Sequence, residues 1–381
     1  MRNGKYVSSR ALPEFSLWDK LKAKRAAMSF DIEVTARCNL DCRHCYINLA
    51  AEDRSARKRE LAVDEIETIA AEAVSIGAVW CLVTGGEPLL RKDFFDIYLA
   101  LRKKGLLVSL YTNATLIDAK HIRFFKNYPP RDIEVTVYGV TRETYEKVTR
   151  VQGSFDAFIR GLGLLLESGV NIRLKAMALR SNMHELPRIA EFCRARTKDY
   201  FRFDPFLHYR FDRDPVRNED IEAERLTPEE IVELEQADAE RFGALEKHRD
   251  EFVVPEFAES ECAHLFRCGA GKRNFVVGHD GNFKICQSLL HPDFLYDLRS
   301  GSLAEAWTGF VPRVLERRSG RSDYLARCAR CPIVNLCLWC PANAHLESGE
   351  LDAPVEYFCR VAHAREAALK RLDKRGRKLL I

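Results

Sequence analysis

At 381 residues, 46% hydrophobic and 30% charged, the chain has the composition of an ordinary soluble globular protein of two or three domains. Sixty basic against 56 acidic residues leave a net charge of +4, an excess too small and too dispersed to make nucleic acid the partner. No run approaches the ~18 to 20 apolar residues of a membrane span, and Met1 to Lys24 lacks the apolar middle of a signal peptide, so the expectation is a cytoplasmic protein with no membrane association.

In chain order, an N-terminal extension (1–28) precedes short apolar runs at Phe30–Val34, Val79–Val83, Leu106–Tyr111, Ile133–Val137 and Ile172–Ala178, which read as strands. Between them Val63–Ile76, Asp93–Lys104, Asp118–Asn127, Ser154–Ser168 and Glu185–Arg196 carry apolar residues three or four apart, the helical period. Nearly continuous apolar strands covered on both faces imply parallel pairing with crossover helices. Five or six units fall short of the eight of a closed barrel. The expected fold is therefore α/β: a partial (β/α)6 TIM-type barrel over residues 29–211, followed by a small cysteine-rich domain.

Residues 212–257 are charged and helical and read as a linker, with Thr227-Pro228-Glu229-Glu230 as a helix start. Residues 258–362 are rich in cysteine and turn formers and too poor in apolar material to fold on a core alone. A basic helical tail (363–381) ends the chain, and its run Lys370 to Lys378, like Arg54 to Arg59 in a loop, reads as solvated.

Thirteen cysteines in a reducing compartment stay thiols or metal ligands, and ten of them fall in two groups, Cys38 to Cys45 and Cys262 to Cys340, with Cys359 just beyond. Cys81 and Cys193 stand alone and read as buried small hydrophobes. Three thiols within Cys38-Asn-Leu-Asp-Cys42-Arg-His-Cys45 are one fewer than a structural zinc site wants, whereas three on an iron–sulfur cubane leave one iron open. The alternative is zinc, completed by His44 or a distant residue. The next strand runs into Thr84-Gly85-Gly86-Glu87-Pro88, where two glycines let backbone approach a ligand and a carboxylate can accept from an ammonium group.

Together these motifs resemble the radical S-adenosylmethionine (SAM) superfamily. The resemblance implies that Cys38, Cys42 and Cys45 ligate a 4Fe-4S cluster, that His44 lies beside the adenine, and that Gly85, Gly86, Glu87 and Pro88 receive SAM. Asn113 and Thr136 resemble the ribose- and carboxylate-contacting positions, and Arg173 or Lys175 could meet the SAM carboxylate. The implied chemistry is one-electron cleavage of SAM to a 5'-deoxyadenosyl radical that abstracts a substrate hydrogen, with the protein supplying orientation and exclusion of water.

The later cysteines run Cys262-x5-Cys268-x17-Cys286, then Cys328-x2-Cys331-x5-Cys337-x2-Cys340, then Cys359. Eight thiols suit two four-thiolate clusters, and the five-residue gap between the CxxC pairs is shorter than the ~12 to 20 of most zinc ribbons, the competing reading. The order resembles the SPASM domain, including Gly281 in a tight hairpin before Cys286, though two residues rather than the family's frequent three separate Cys337 from Cys340. By that resemblance Cys262, Cys268, Cys286 and Cys340 hold one cluster, and Cys328, Cys331, Cys337 and Cys359 the other, making three 4Fe-4S clusters in all.

SPASM enzymes that mature sulfatases place an aspartate after the third of these cysteines; Gln287 stands here and cannot take a proton as a carboxylate would, which disfavours that reaction. The resemblance leaves a peptide or protein as the expected substrate, with heme-pathway or small-molecule tailoring as alternatives, and a non-catalytic electron carrier or zinc scaffold as a reading from another class. The partners expected are a flavodoxin- or ferredoxin-type electron donor and, unless the peptide is captured directly, a separate peptide-docking protein.

Overall fold

The computed structural model describes residues 25–248 and 263–376. Six strands follow one another in the chain and in space: β1 (Ser29–Thr35), β2 (Trp80–Gly85), β3 (Leu107–Thr112), β4 (Ile133–Val137), β5 (Ile172–Met177) and β6 (Arg202–Asp204). Each pairs parallel with the next. Helices cross between them: α1 (Arg54–Arg59) and α2 (Val63–Ser75) after β1, α3 (Phe94–Lys103) after β2, and α4 (Ala119–Asn127) after β3. Next come α5 (Arg142–Thr149) and α6 (Ser154–Glu167) after β4, and α7 (Leu186–Arg194) after β5. This is the expected partial barrel, a mixed α/β fold.

The strands differ from the expectation in one respect. They are not apolar on both faces but alternate. Phe30, Ile32 and Val34 of β1, Val108 and Leu110 of β3, and Ile133, Val135 and Val137 of β4 are buried against the helices. The intervening positions are Asp31 and Glu33, Ser109 and Tyr111, Glu134 and Thr136. Because successive side chains point to opposite faces, this pattern gives the barrel an apolar outside and a polar, charged inside. Residues Arg54–Arg59, expected as a loop, form α1, started by Asp53, whose side chain accepts from the Ala56 N–H at 2.8 Å.

The segment after β6 forms α8 (Pro215–Glu224), α9 (Pro228–Ala237) and α10 (Ala239–Lys247). Thr227 caps α9 as read: its hydroxyl accepts from the Glu230 N–H at 3.2 Å while the Glu230 carboxylate accepts from the Thr227 N–H at 2.8 Å.

The cysteine-rich region contributes more regular structure than its composition suggested. β7 (Asn274–Val277) pairs parallel with β1 on the side away from β2, β8 (Asn282–Lys284) turns back antiparallel, and β9 (Tyr296–Asp297) pairs with β8, so one nine-stranded sheet runs β9-β8-β7-β1-β2-β3-β4-β5-β6. Gly281, at φ +85°, makes the turn, its N–H donating to the Gly278 carbonyl at 3.0 Å. The rings of Phe30, Phe275 and Phe283 stack across the junction at centroid separations of 5.2 Å each. Here α11 (Pro341–Ser348) and α12 (Glu356–Gly376) complete the described chain. The start of the helical tail is packed ahead of its basic run: Ala368 and Leu369 are buried, and Arg365 forms a buried two-pronged pair with Glu235 of α9, whereas Lys370 is exposed. Cys81 and Cys193 lie in the core, as read.

Candidate active site

A cavity of about 450 Å³ opens at the carboxyl ends of the parallel strands, where open α/β sheets bind ligands. Cys38, Cys42, His44 and Cys45 line it from the loop after β1, Gly85 and Gly86 from the end of β2, Asn113 from the end of β3, Thr136 from β4 and Lys175 from β5. Chain positions far apart in the sequence thus meet because each sits at the end of a barrel strand.

The loop presents its thiols with help from neighbours. The Leu40 N–H donates to Cys38 Sγ at 3.4 Å, and Asn113 Nδ2 lies 3.8 Å from the same sulfur. Burial pushes all three thiols up; at Cys45 the N–H groups of Ile47 and Asn48 and the charges of Arg210 and Arg217 oppose it. Among the described residues no three His, Cys, Asp or Glu side chains converge as closely as a single metal ion requires. The three thiols instead share the cavity wall.

Gly85 and Gly86 are required by close approach. A Cβ on Gly85, at φ +135°, would lie 2.1 Å from the Thr35 carbonyl oxygen, and one on Gly86 would lie 2.3 Å from that of Arg37. The backbone there is strapped to the cysteine loop by Gly86 N–H to Thr35 O at 2.7 Å and Glu87 N–H to Arg37 O at 2.9 Å.

Glu87 does not offer its carboxylate to the cavity. It is fully buried and accepts from the Leu89 N–H at 3.0 Å, the Thr112 hydroxyl at 2.8 Å and the Asn113 N–H at 2.8 Å, tying β2 to the end of β3 and setting Asn113 in place. Pro88, also buried, opens the short turn Pro88–Leu90 behind it. Burial pushes the Glu87 carboxyl up to about 7, and the three donors oppose that rise. Glu87→Gln turns an NH2 toward one of these donors, and should cost about 1 to 3 kcal/mol in urea unfolding of the metal-free chain. Because the folded carboxyl titrates above its unfolded value near 4.5, its contribution is full below that pH and is lost as pH rises toward about 7. The stability gap between wild type and variant should therefore shrink over that window.

His44 is buried, its Nδ1 has no hydrogen-bond partner, and its ring lies 5.1 Å from that of Tyr138; burial pushes its pKa down to about 4, leaving a neutral imidazole. Lys175 reaches the cavity with Nζ 3.0 Å from Glu134 Oε1 and 4.6 Å from the Tyr111 ring centre. Arg173, its equal in the sequence reading, does not line the cavity: it sits two residues nearer the start of β5, 3.7 Å from Asp199. Strand direction separates the two, since only the carboxyl end opens on the cavity.

Gln287, Ser288 and Leu338 from the cysteine-rich region wall the same cavity. The later thiols lie in two groups. Cys268, Cys286 and Cys340 act on one another: burial first, then the neighbouring thiols, pushes Cys286 up and Cys340 up to about 12. Cys328, Cys331, Cys337 and Cys359 form the other: burial raises Cys328 and Cys337 to about 11, with further contributions from other thiols of this group. Cys262 lies outside the described residues.

Sequence reasoning missed Tyr138, Glu134 and Asp204, which line the cavity or support its walls, and Arg210 and Arg217, which grip the cysteine loop from the supposed linker and its approach. Alternation along β4 and β6 carried a signal for Glu134 and Asp204; nothing local marked the two arginines. A second cavity of about 430 Å³, between α7, β6, α9 and α10, holds none of the predicted residues.

Residues 32–193 match the family model described as the Radical SAM superfamily. Over 327 residues the chain is 28% identical to the Fe-coproporphyrin III synthase of Methanosarcina barkeri, covering 80% of each chain. It is 23% identical over 337 residues to the antilisterial bacteriocin subtilosin biosynthesis protein AlbA of Bacillus subtilis, covering 83% of this chain and 71% of that one. The structure of Streptococcus suis SuiB bound to precursor peptide SuiA shares the fold, with a TM-score of 0.65 at 16% identity over 92% of this chain and 82% of that one. Among the described residues no helix is long and apolar enough to cross a membrane. The superfamily's cofactors are a 4Fe-4S cluster and SAM. The chain thus carries a radical SAM domain over residues 32–193 and is an enzyme.

Proposed function

We propose that Cys38, Cys42 and Cys45 hold the SAM-cleaving 4Fe-4S cluster, that two further 4Fe-4S clusters occupy the later cysteine groups, and that the substrate is a peptide or protein. The residues present fit those groups. Three thiols share one cavity wall, two glycines leave bare backbone beside them where any Cβ would collide, and His44 keeps an unpartnered Nδ1 next to the cavity. With Cys262 added to Cys268, Cys286 and Cys340, each later group counts four thiols, which leaves no iron open and suits electron transfer or structural support.

A reduced cluster and SAM bound there would supply the one-electron chemistry that yields a 5'-deoxyadenosyl radical. The chain's own residues do the rest. The backbone at Gly85 and Gly86 would receive the ammonium group, Asn113 and Thr136 would meet the ribose and carboxylate, and Lys175, held by Glu134, would offer a cation to the carboxylate. Neutral His44 and Tyr138 form an apolar face for adenine. Gln287, Ser288 and Leu338 close the cavity from the cysteine-rich side, shielding a reactive radical from water.

The observation that carries the peptide reading is this shared wall, a cavity lined by both the barrel and the cysteine-rich region, in a fold shared with the structure of SuiB bound to precursor peptide SuiA. A flavodoxin- or ferredoxin-type protein would supply electrons, and a separate docking protein could deliver the peptide. Similarity to the Fe-coproporphyrin III synthase over most of the chain supports a second reading, a tetrapyrrole substrate. The test is anaerobic turnover with dithionite and SAM, offering in parallel short peptides encoded beside the gene and iron-coproporphyrin III. Faster 5'-deoxyadenosine release with a mass change in a peptide supports the first reading; a mass change in the porphyrin alone replaces it with the second. Iron and sulfide should each reach about twelve per chain.

A further inference from the structure

We infer that Arg210 and Arg217 are positioning residues for the iron-binding loop: arriving after the last barrel strand, their guanidinium groups clasp the loop's own carbonyls, turn its three thiols to the cavity, and set two cations against a thiolate-rich centre. This rests on the proposal that Cys38, Cys42 and Cys45 hold that centre.

The loop between β1 and α1 has little regular structure, so its backbone carbonyls need partners from elsewhere. Arg210 provides them. Its Nη1 donates to the Cys45 carbonyl at 3.3 Å, to the Asn48 carbonyl at 3.3 Å and to Asn48 Oδ1 at 3.0 Å, and its Nη2 to the Asn48 carbonyl at 3.3 Å. Arg217, in the first turn of α8, donates from Nη1 to Asp41 Oδ1 at 2.6 Å and from Nη2 to the Cys42 carbonyl at 3.4 Å and Asn48 Oδ1 at 3.3 Å. Asn48 is the shared post, since its Nδ2 in turn donates to the Leu40 carbonyl at 3.3 Å. Two of the loop's cysteines are thus held by their carbonyls from one direction while their thiols line the cavity.

Charge is the second half of the argument. Arg210 is 4% exposed, and burying a cation there is costly unless it is compensated. Asp212 compensates it in part, at 2.9 Å to Nε and 2.7 Å to Nη2. A methionine would fill the space without that cost; a planar fork spanning two carbonyls and an amide is what only arginine supplies. Cations near a cluster raise its reduction potential, and groups that orient metal ligands tune affinity.

The test uses the full chain, reconstituted anaerobically with iron and sulfide, as wild type, Arg217→Gln, Arg217→Lys and Arg210→Lys. The first readout is the midpoint potential of the paramagnetic signal that SAM perturbs. The second is iodoacetamide labelling of Cys38, Cys42 and Cys45 in metal-free protein, followed by mass spectrometry, with thermal unfolding as a check of folding. Arg217→Gln should shift the potential to a more negative value and speed labelling. Arg217→Lys should keep the potential near wild type yet still speed labelling, because the charge stays and the fork is lost. Arg210→Lys should retain iron about tenfold less tightly at that centre. Should Arg210→Lys fail to fold, Arg217→Gln at a partly exposed side chain decides alone. Potential, labelling and iron retention all equal to wild type would overturn the inference. If wild type gives no SAM-sensitive signal, the iron-centre proposal fails by itself, and labelling of the metal-free loop still judges the clasp.

Discussion

Gly86→Ala should abolish SAM binding in anaerobic equilibrium dialysis, and Gly85→Ala should do the same while lowering the unfolding midpoint. The reason lies on one side of each glycine. The backbone at the end of β1 and just beyond it passes so close that an added methyl would lie 2.3 Å from the Arg37 carbonyl oxygen or 2.1 Å from that of Thr35. Backbone oxygens cannot rotate away as a side chain would, so the strand end must move, and with it the hydrogen bonds at 2.7 and 2.9 Å that strap this turn to the cysteine loop. Gly85 adds backbone strain, since φ +135° is closed to residues with a side chain. Overpacking of this kind costs about 1 to 3 kcal/mol or more. Unchanged SAM affinity in Gly86→Ala would show that the close approach is not part of the binding surface.

Lys284→Ala should destabilise the chain by about 3 to 5 kcal/mol in urea unfolding, because it strands a buried carboxylate. Lys284 and Glu33 are both 2% exposed, with Nζ 3.2 Å from Glu33 Oε2 and 3.1 Å from the Gln287 carbonyl; Gln287 Nε2 also donates to Glu33. Removing the ammonium leaves Glu33 with that amide and with Asp31 nearby, whose carboxyl burial and Glu33 already push up to about 6 against the pull of Lys284. Removing both charges is a different matter. The double variant Glu33→Gln with Lys284→Met should recover most of the loss, as replaced buried pairs often do. A double variant no better than the single one would contradict this assignment. The pair also joins β1 to the strand leading to Cys286, so its loss should loosen the cavity wall at Gln287.

How much of this was legible in the sequence follows from how local each signal is. Cys38 to Cys45 and Gly85 to Pro88 are contiguous motifs, and the structure brings the three cysteines and the two glycines to one cavity while burying Glu87 and Pro88 behind it. Periodicity located β1 to β5 and the helices α2, α3, α4, α6 and α7, because each element's burial is written in its own spacing, but it missed α1, read as a loop, and α5. It failed to resolve the polar inner face, since Asp31, Glu134 and Lys175 were read within apolar runs rather than as every second residue. The parallel pairing of β7 with β1 was invisible, because two short apolar runs so far apart carry no mark of partnership. The grip of Arg210 and Arg217 on the loop was hidden for the same reason, Arg210 at the end of the span read as barrel and Arg217 in a segment read as a linker. Arg173 and Lys175 looked alike until strand direction told the two ends of β5 apart. Glu87 sat in the right motif, but its carboxylate faces Thr112 and Asn113, a contact across strands that no spacing encodes.

The most direct measurement is low-temperature electron paramagnetic resonance of the dithionite-reduced, oxygen-free protein with and without SAM, read beside release of 5'-deoxyadenosine. The account predicts an iron–sulfur signal that SAM alters in wild type, with 5'-deoxyadenosine formed, and loss of both the SAM-sensitive component and the nucleoside in Cys42→Ala. A signal indifferent to SAM in wild type, or undiminished nucleoside release in Cys42→Ala, would contradict it.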